Sequence, residues 1–182
     1  ETIKLFYDQD NKGIQNSSDY ARIVNKKHFN RICHLLDDAK SKGATIISGG
    51  EMDESTCFIA PTLLTNCTDE MLIMQEEIFG PVAVLIPFTT DEQAIELAND
   101  GDYGLSAGVI SSNVGRAMQL GAQLKVGLLH INDQTVNDET VNPFGGFGSS
   151  GNGTRIGGPA NADEFTQWQW MTVQAQAPHY PF

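Results

Sequence analysis

Few side chains in the 182 residues could do chemistry, and most sit in settings that disarm them. Glu76 and Glu77 stand side by side in "QEEIFGPV" (Gln75 to Val82), just before Phe79 and a Gly-Pro turn. Such an acidic pair at a chain reversal is either a site or a solvated loop. Cys33, Cys57 and Cys67 are candidate nucleophiles. Cys33 falls on the apolar face of a helical pattern, where packing is the better reading. Cys57 and Cys67 flank an extended segment, with no Gly-rich turn or nearby basic group to lower a thiol pKa. His28 and His34 share the helix with Cys33 by accident of spacing, and His130 interrupts an apolar strand as a satisfied core or rim histidine. "GFGSSG" (Gly146 to Gly151) formally fits GxGxxG, but a dinucleotide fingerprint needs a strand just before it and a helix just after. Here Asn142-Pro143 precedes and more glycine follows, so the glycines read as a tight irregular loop. No CxxC and no GK[ST] occurs, so neither a thiolate zinc site nor a P-loop is expected.

Composition narrows the classes. The net charge of −12, from 11 Lys and Arg against 23 Asp and Glu, argues against nucleic acid or an anionic membrane as partner. With 40% apolar residues the chain has material for a core, and its length suits one domain or one domain with an appendage. An odd number of irregularly spaced cysteines is no disulfide framework. No apolar run approaches the ~20 residues that span a bilayer. The opening residues are polar, so a cytoplasmic protein is expected, with the Asn-x-Ser/Thr matches at Asn16, Asn66 and Asn152 as chance. Glu1 in place of Met, within a helical pattern, suggests a fragment, a processed product or a trimmed chain.

The elements that must position these residues follow from periodicity. Lys26 to Lys42 predicts a helix, with Phe29, Ile32, Cys33, Leu36 and Ala39 on one face and Gly43 as its stop. Strands are predicted at Ala44 to Ser48, over the extended Phe58 to Thr65 with Pro61 at an edge or bend, at Val82 to Phe88, at Leu105 to Ser111 and at Val126 to Asn132. Helices are predicted from Thr90, where Thr90 and Gln93 form a capping box, and over Asn113 to Leu124. This alternation is the order of a parallel α/β sheet. Residues 133–158 turn polar, then Gly-rich. The alternation of Trp168, Trp170 and Thr172 predicts a last strand outside that rhythm, pairing elsewhere or with another chain.

Four segments, in order, carry a resemblance: "MQEEIFGPV", "DEQAIELANDGDYGLSAGVISSN", "GLLHIN" and "NPFGGFGSSGNGTRIGG". Together they resemble the C-terminal half of the aldehyde dehydrogenase superfamily, whose patterns run roughly E-x-F-G-P, A-I-x-x-A-N-x-x-x-Y-G-L-x-A, G-x-x-x-I-N and P-F-G-G-x-x-x-S-G. "DYARIVNKKHF" is similar to the class 3 branch, and "GGPANADEFTQWQWMTV" to benzaldehyde and vanillin dehydrogenases.

The resemblance implies an α/β fold with an open parallel sheet flanked by helices. Residues 1–158 would be part of a catalytic domain, and 159–182 a segment with an oligomerisation strand. It implies oxidation of an aldehyde, here an aromatic one, with NAD or NADP. A cysteine thiolate attacks the carbonyl, hydride passes to nicotinamide, and activated water hydrolyses the thioester. Glu77 matches the glutamate that binds the nicotinamide ribose hydroxyls, since a carboxylate can accept from two adjacent donors. Phe79 matches the aromatic beside the nicotinamide riboside, and Phe144 the P-F-G-G aromatic near the substrate pocket. Residues 133–141 fall at the aldehyde entrance, while Asn132, Gly145 and Gly146 have turn-holding as their simplest role. The "GQxC" nucleophile, the general-base glutamate and the dinucleotide-binding half have no counterpart in these residues, so no catalytic residue and no metal site is expected, and the chain alone should be inactive. Two rival readings stay open. One is a non-catalytic module that self-associates through the Trp168 to Val173 strand. The other is an independent nucleotide-binding domain using Gly146 to Gly151.

Overall fold

The structure is a computed structural model that describes residues 1–179. The last three residues of the 159–182 segment lie outside the described residues. The chain forms two compact units, Glu1–Pro87 and Phe88–Phe182.

The first unit contains α1 (Thr2–Tyr7), α2 (Lys26–Ser41), β1 (Thr45–Ser48), β2 (Met52–Asp53), β3 (Phe58–Ile59), β4 (Thr62–Thr65), α3 (Leu72–Gln75) and β5 (Val82–Val84). The α2 helix forms where the periodicity places it. Its start has a local cause: the Asn25 side chain accepts a hydrogen bond from the His28 N–H at 3.0 Å. Its face buries Phe29, Ile32, Leu35, Leu36 and Ala39 against Ile59, Leu64, Met71 and Ile73. Each large apolar side chain in this core contributes about 2 kcal/mol. Leu35 joins the core in addition to the expected residues, and Cys33 sits at its half-buried margin.

The sheet of this unit runs β1-β4-β5. The expected α/β class holds, but β1 pairs with β4 antiparallel, and only β4 and β5 are parallel. Residues 58–65 break into β3 and β4 around Ala60-Pro61. The strand expected over Val82 to Phe88 ends at Val84. Its partner runs out: the Leu85 N–H still donates to the Leu64 carbonyl at 2.8 Å, and then Pro87 has no N–H to offer.

A polar staple ties α2 to α3. The Asp38 carboxylate accepts from the Leu72 N–H at 2.8 Å and pairs with Lys42 Nζ at 2.8 Å. Lys42 donation first, then the Leu72 N–H, holds the Asp38 carboxyl below its ordinary value of 3.8. A depressed folded pKa stabilises the fold above the unfolded pKa, and this is lost as pH falls through the folded one. Asp38→Asn is therefore expected to lower stability at neutral pH and to flatten the loss of stability below pH 3.8. Urea midpoints across that range check this.

The second unit contains α4 (Asp91–Asn99), β6 (Tyr103–Gly104), β7 (Ser106–Val109), α5 (Val114–Gly121), β8 (Leu128–Ile131), β9 (Phe147–Gly148) and α6 (Ala160–Phe165). The strands β7 and β8 are parallel, with Gly108 opposite His130, and β6 pairs antiparallel with β9. One half of the capping box forms as expected, the Gln93 N–H donating to Thr90 Oγ1 at 3.2 Å. The other half goes one residue further back, with Gln93 Oε1 accepting from the Thr89 N–H at 2.8 Å. Asn99 joins the end of α4 to the approach to β8, donating to the Gln123 carbonyl at 2.9 Å and accepting from the Lys125 N–H at 2.8 Å. The small face of α5, Ala117 and Gly121, lets the helix lie close over Leu129: a Cβ on Gly121 would sit 2.8 Å from a Leu129 methyl.

The strand expected at Trp168 to Val173 makes no ladder among the described residues. Trp168 is 102% exposed and Trp170 is 92% exposed. The segment has no partner strand among the described residues.

Candidate functional site

Glu77 and Phe79 share one turn of the first unit, between α3 and β5. Glu76 ends α3, its N–H donating to the Leu72 carbonyl at 3.0 Å. On the far side, the Pro81 carbonyl accepts from the Thr62 N–H at 2.9 Å, anchoring the turn to β4. Between these anchors Phe79 adopts a left-handed backbone with φ 47°. That conformation costs a non-glycine residue about 1–2 kcal/mol. It throws the ring outward, 80% exposed. Gly80 follows where a Cβ would lie 2.6 Å from Ile32 Cδ1, so the turn presses directly on the buried face of α2.

Glu77 is exposed, and its carboxylate takes part in no hydrogen bond or ion pair among the described residues. Its carbonyl is held: Arg31 Nη1 donates to it at 3.1 Å, and Arg31 Nη2 donates to the Ile78 carbonyl. Sequence reasoning missed Arg31. Its partners lie 46 and 47 residues away, and no local pattern signals such a contact. The Glu76 carboxylate is likewise exposed and without a hydrogen bond or ion pair among the described residues, so the choice of Glu77 rests on its motif position.

Phe144 belongs to the second unit. It is half-buried and forms an antiparallel bridge with Ile156, with bonds of 2.6 Å and 2.9 Å. The following Gly145-Gly146 runs beside the start of β8. A Cβ on Gly127 would lie 1.6 Å from the Gly145 carbonyl oxygen, so the "GLLHIN" and "NPFGG" segments interlock at this point. Phe144 lines a cavity of about 210 Å³ with His130, Asn137 and Asn142. Asn132 has φ 58° and accepts from the Ser111 N–H at 2.7 Å, which is the turn-holding role expected of it. In the loop 133–141, Asp133 accepts from Asn137 Nδ2 and from the Gln134 N–H; these bonds hold its carboxyl below the ordinary range.

His130 departs from expectation. Read as a satisfied histidine, it has a buried Nε2 without a hydrogen-bond partner among the described residues. The cysteines behave as packing residues. Burial first, then Asp37, raises the Cys33 thiol pKa, and its sulfur lies 3.3 Å from Met52 Sδ. Burial raises that of Cys67. Both thiols are therefore further from the thiolate form at neutral pH than a free cysteine. Cys57 stands in a left-handed turn with its carbonyl held by the Ile23 N–H at 3.0 Å. "GFGSSG" lacks the strand-loop-helix setting of a phosphate site: β9 lies inside it, and the next helix begins at Ala160.

The profile of the aldehyde dehydrogenase family matches residues 9–171. The chain belongs to this family. It is 46% identical over 159 residues to a vanillin dehydrogenase of Pseudomonas sp. strain HR199, covering 87% of this chain and 32% of that protein. It is 39% identical over 160 residues to the benzaldehyde dehydrogenase [NAD(+)] of Pseudomonas putida, covering 88% and 32%. The crystal structure of a salicylaldehyde dehydrogenase from Pseudomonas putida G7, complexed with salicylaldehyde, superposes with a TM-score of 0.79 at 37% identity, covering 88% of this chain and 33% of that one. This aldehyde dehydrogenase chain spans about a third of the length of the relatives it matches. No helix among the described residues is long and apolar enough to cross a membrane.

Proposed function

We propose that these residues are the C-terminal third of an NAD(P)-dependent dehydrogenase that oxidises aromatic aldehydes to carboxylic acids. The observation that carries this is the turn at Glu77 and Phe79, which presents a free carboxylate and an exposed ring from a fixed backbone. The similarity to dehydrogenases named for vanillin, benzaldehyde and salicylaldehyde supports the aromatic class. In this reading Glu77 accepts from the two ribose hydroxyls next to the nicotinamide, and Phe79 packs beside the riboside and limits its positions. NAD or NADP supplies the hydride acceptor. Phe144 lines the aldehyde pocket, residues 159–182 form the assembly segment, and Trp168 to Val173 pair with a second copy to complete the unpaired strand. The enzyme works in the cytoplasm.

Among the described residues, none of Cys33, Cys57 and Cys67 stands in a setting that would activate a thiol nucleophile. The 182 residues alone are therefore expected to form no NADH from benzaldehyde and NAD, whereas the full-length protein forms it. A full-length protein that leaves aromatic aldehydes untouched overturns the aromatic reading, and turnover by the chain alone overturns the assignment of the nucleophile elsewhere. A second reading, a non-catalytic self-associating module, draws on the same exposed Trp168 and Trp170. It predicts assembly of the chain alone, and a monomer at high concentration in sedimentation contradicts it.

A further inference from the structure

We propose that Arg31 is a positioning residue for hydride transfer, setting the aim of Glu77 and Phe79 through the backbone of their turn. This deepens the reading of Glu77 as a cofactor ligand and rests on it. The guanidinium donates to two successive carbonyls, those of Glu77 and Ile78, the first at 3.1 Å. Neither carbonyl belongs to a strand ladder or a helix, so these are the bonds that satisfy them. These carbonyls lie in the two peptide planes on either side of Ile78, so the fork holds the backbone of Ile78 and with it the Cα positions of Glu77 and Phe79, from which their side chains leave.

Three features suit Arg31 to this task. Its planar fork presents several N–H donors in rigid relation, which an ammonium group does not. It projects from α2 next to Ile32, which is fully buried and touches the turn at Gly80, so the fork is mounted on the most firmly packed element of the unit. It also binds only carbonyl oxygens: no ion pair joins Arg31 to the Glu77 carboxylate among the described residues, which leaves that carboxylate free to accept hydroxyls. A salt bridge in the same place would have spent the ligand on the protein.

The test uses the full-length enzyme with benzaldehyde, deuterated at the aldehyde carbon or not, and NAD. Arg31→Ala is expected to slow hydride transfer roughly ten- to hundredfold, the scale on which small misplacements of reacting groups act. It should raise KM for NAD, leave KM for benzaldehyde within about twofold, and bring out a primary isotope effect on kcat. Arg31→Lys, with a cation but no fork, should fall between. Combined with Glu77→Gln, the second change should add little, because both act through one contact. A merely structural role would lower the active fraction alone, leaving KM for NAD and the isotope effect unmoved; that result overturns the proposal. So does full additivity with Glu77→Gln. Should Arg31→Ala fail to accumulate, Arg31→Lys and Arg31→Gln carry the same readouts. If Glu77→Gln itself leaves hydride transfer unchanged, the cofactor-ligand reading fails and takes this proposal with it. If Glu77→Gln slows it and the Arg31 variants do not, only the role of Arg31 falls.

Discussion

Gly127→Ala is expected to remove at least about 3 kcal/mol of stability from the second unit, the upper end of what overpacking costs. The reason is geometric. The added Cβ would lie 1.6 Å from the Gly145 carbonyl oxygen and 2.7 Å from its carbon. Both are backbone atoms, so no side chain can rotate away. Either β8 or the "NPFGG" segment must move. Against a domain stability of 5–15 kcal/mol this is a large fraction, and the melting midpoint should fall by more than about 10 °C. Gly115→Ala is the matched control. It lies in α5, and its nearest contact is 3.5 Å from the Asn113 side chain. Alanine there should be neutral or stabilising by up to about 1 kcal/mol. Thermal melting of both variants checks the pair. Equal midpoints would show that Gly145 can retreat, and that the two segments do not lock each other.

Glu77→Gln in the full-length enzyme is expected to slow hydride transfer roughly hundredfold while leaving the melting midpoint nearly unchanged. The side chain is exposed and has no partner among the described residues, so folding loses little with its charge. Cofactor handling loses more. A carboxylate accepts from two adjacent hydroxyls through both oxygens, whereas an amide offers one acceptor and two donors. Hydrogen bonds to a charged acceptor are also stronger than those to a neutral one. The nicotinamide ribose would then sample positions from which hydride cannot pass, and misplacement on the ångström scale costs about two orders of magnitude.

Elements set by local pattern were legible in the sequence. The α2 and α5 helices fall within a few residues of their expected limits because an apolar face at three- and four-residue steps has one good solution. The parallel β7–β8 pair follows from strand-helix-strand order. What depends on distant partners was not legible. An apolar run at Val82 to Phe88 reports hydrophobicity, but strand length is set by pairing with β4, whose register covers Val82, Ala83 and Val84 and whose last bond to this run goes to the Leu85 N–H. The antiparallel placement of β1 also depends on pairing that no local pattern encodes. At the candidate site, the motif singles out Glu77 and Phe79 as expectations, but it signals neither the left-handed backbone of Phe79 nor the grip of Arg31. The unpartnered Nε2 of His130 is a further case, since an apolar-polar alternation cannot tell a satisfied imidazole from an orphaned one.

In the proposed reading, the turn at Glu77 and Phe79 holds the cofactor for hydride transfer in the full-length enzyme. Single-turnover formation of NADH by the full-length Glu77→Gln enzyme, with NAD and aromatic aldehyde both saturating, tests it most directly. The predicted result is a burst slowed roughly hundredfold, with the native fold retained. A burst at the unsubstituted rate would contradict the account.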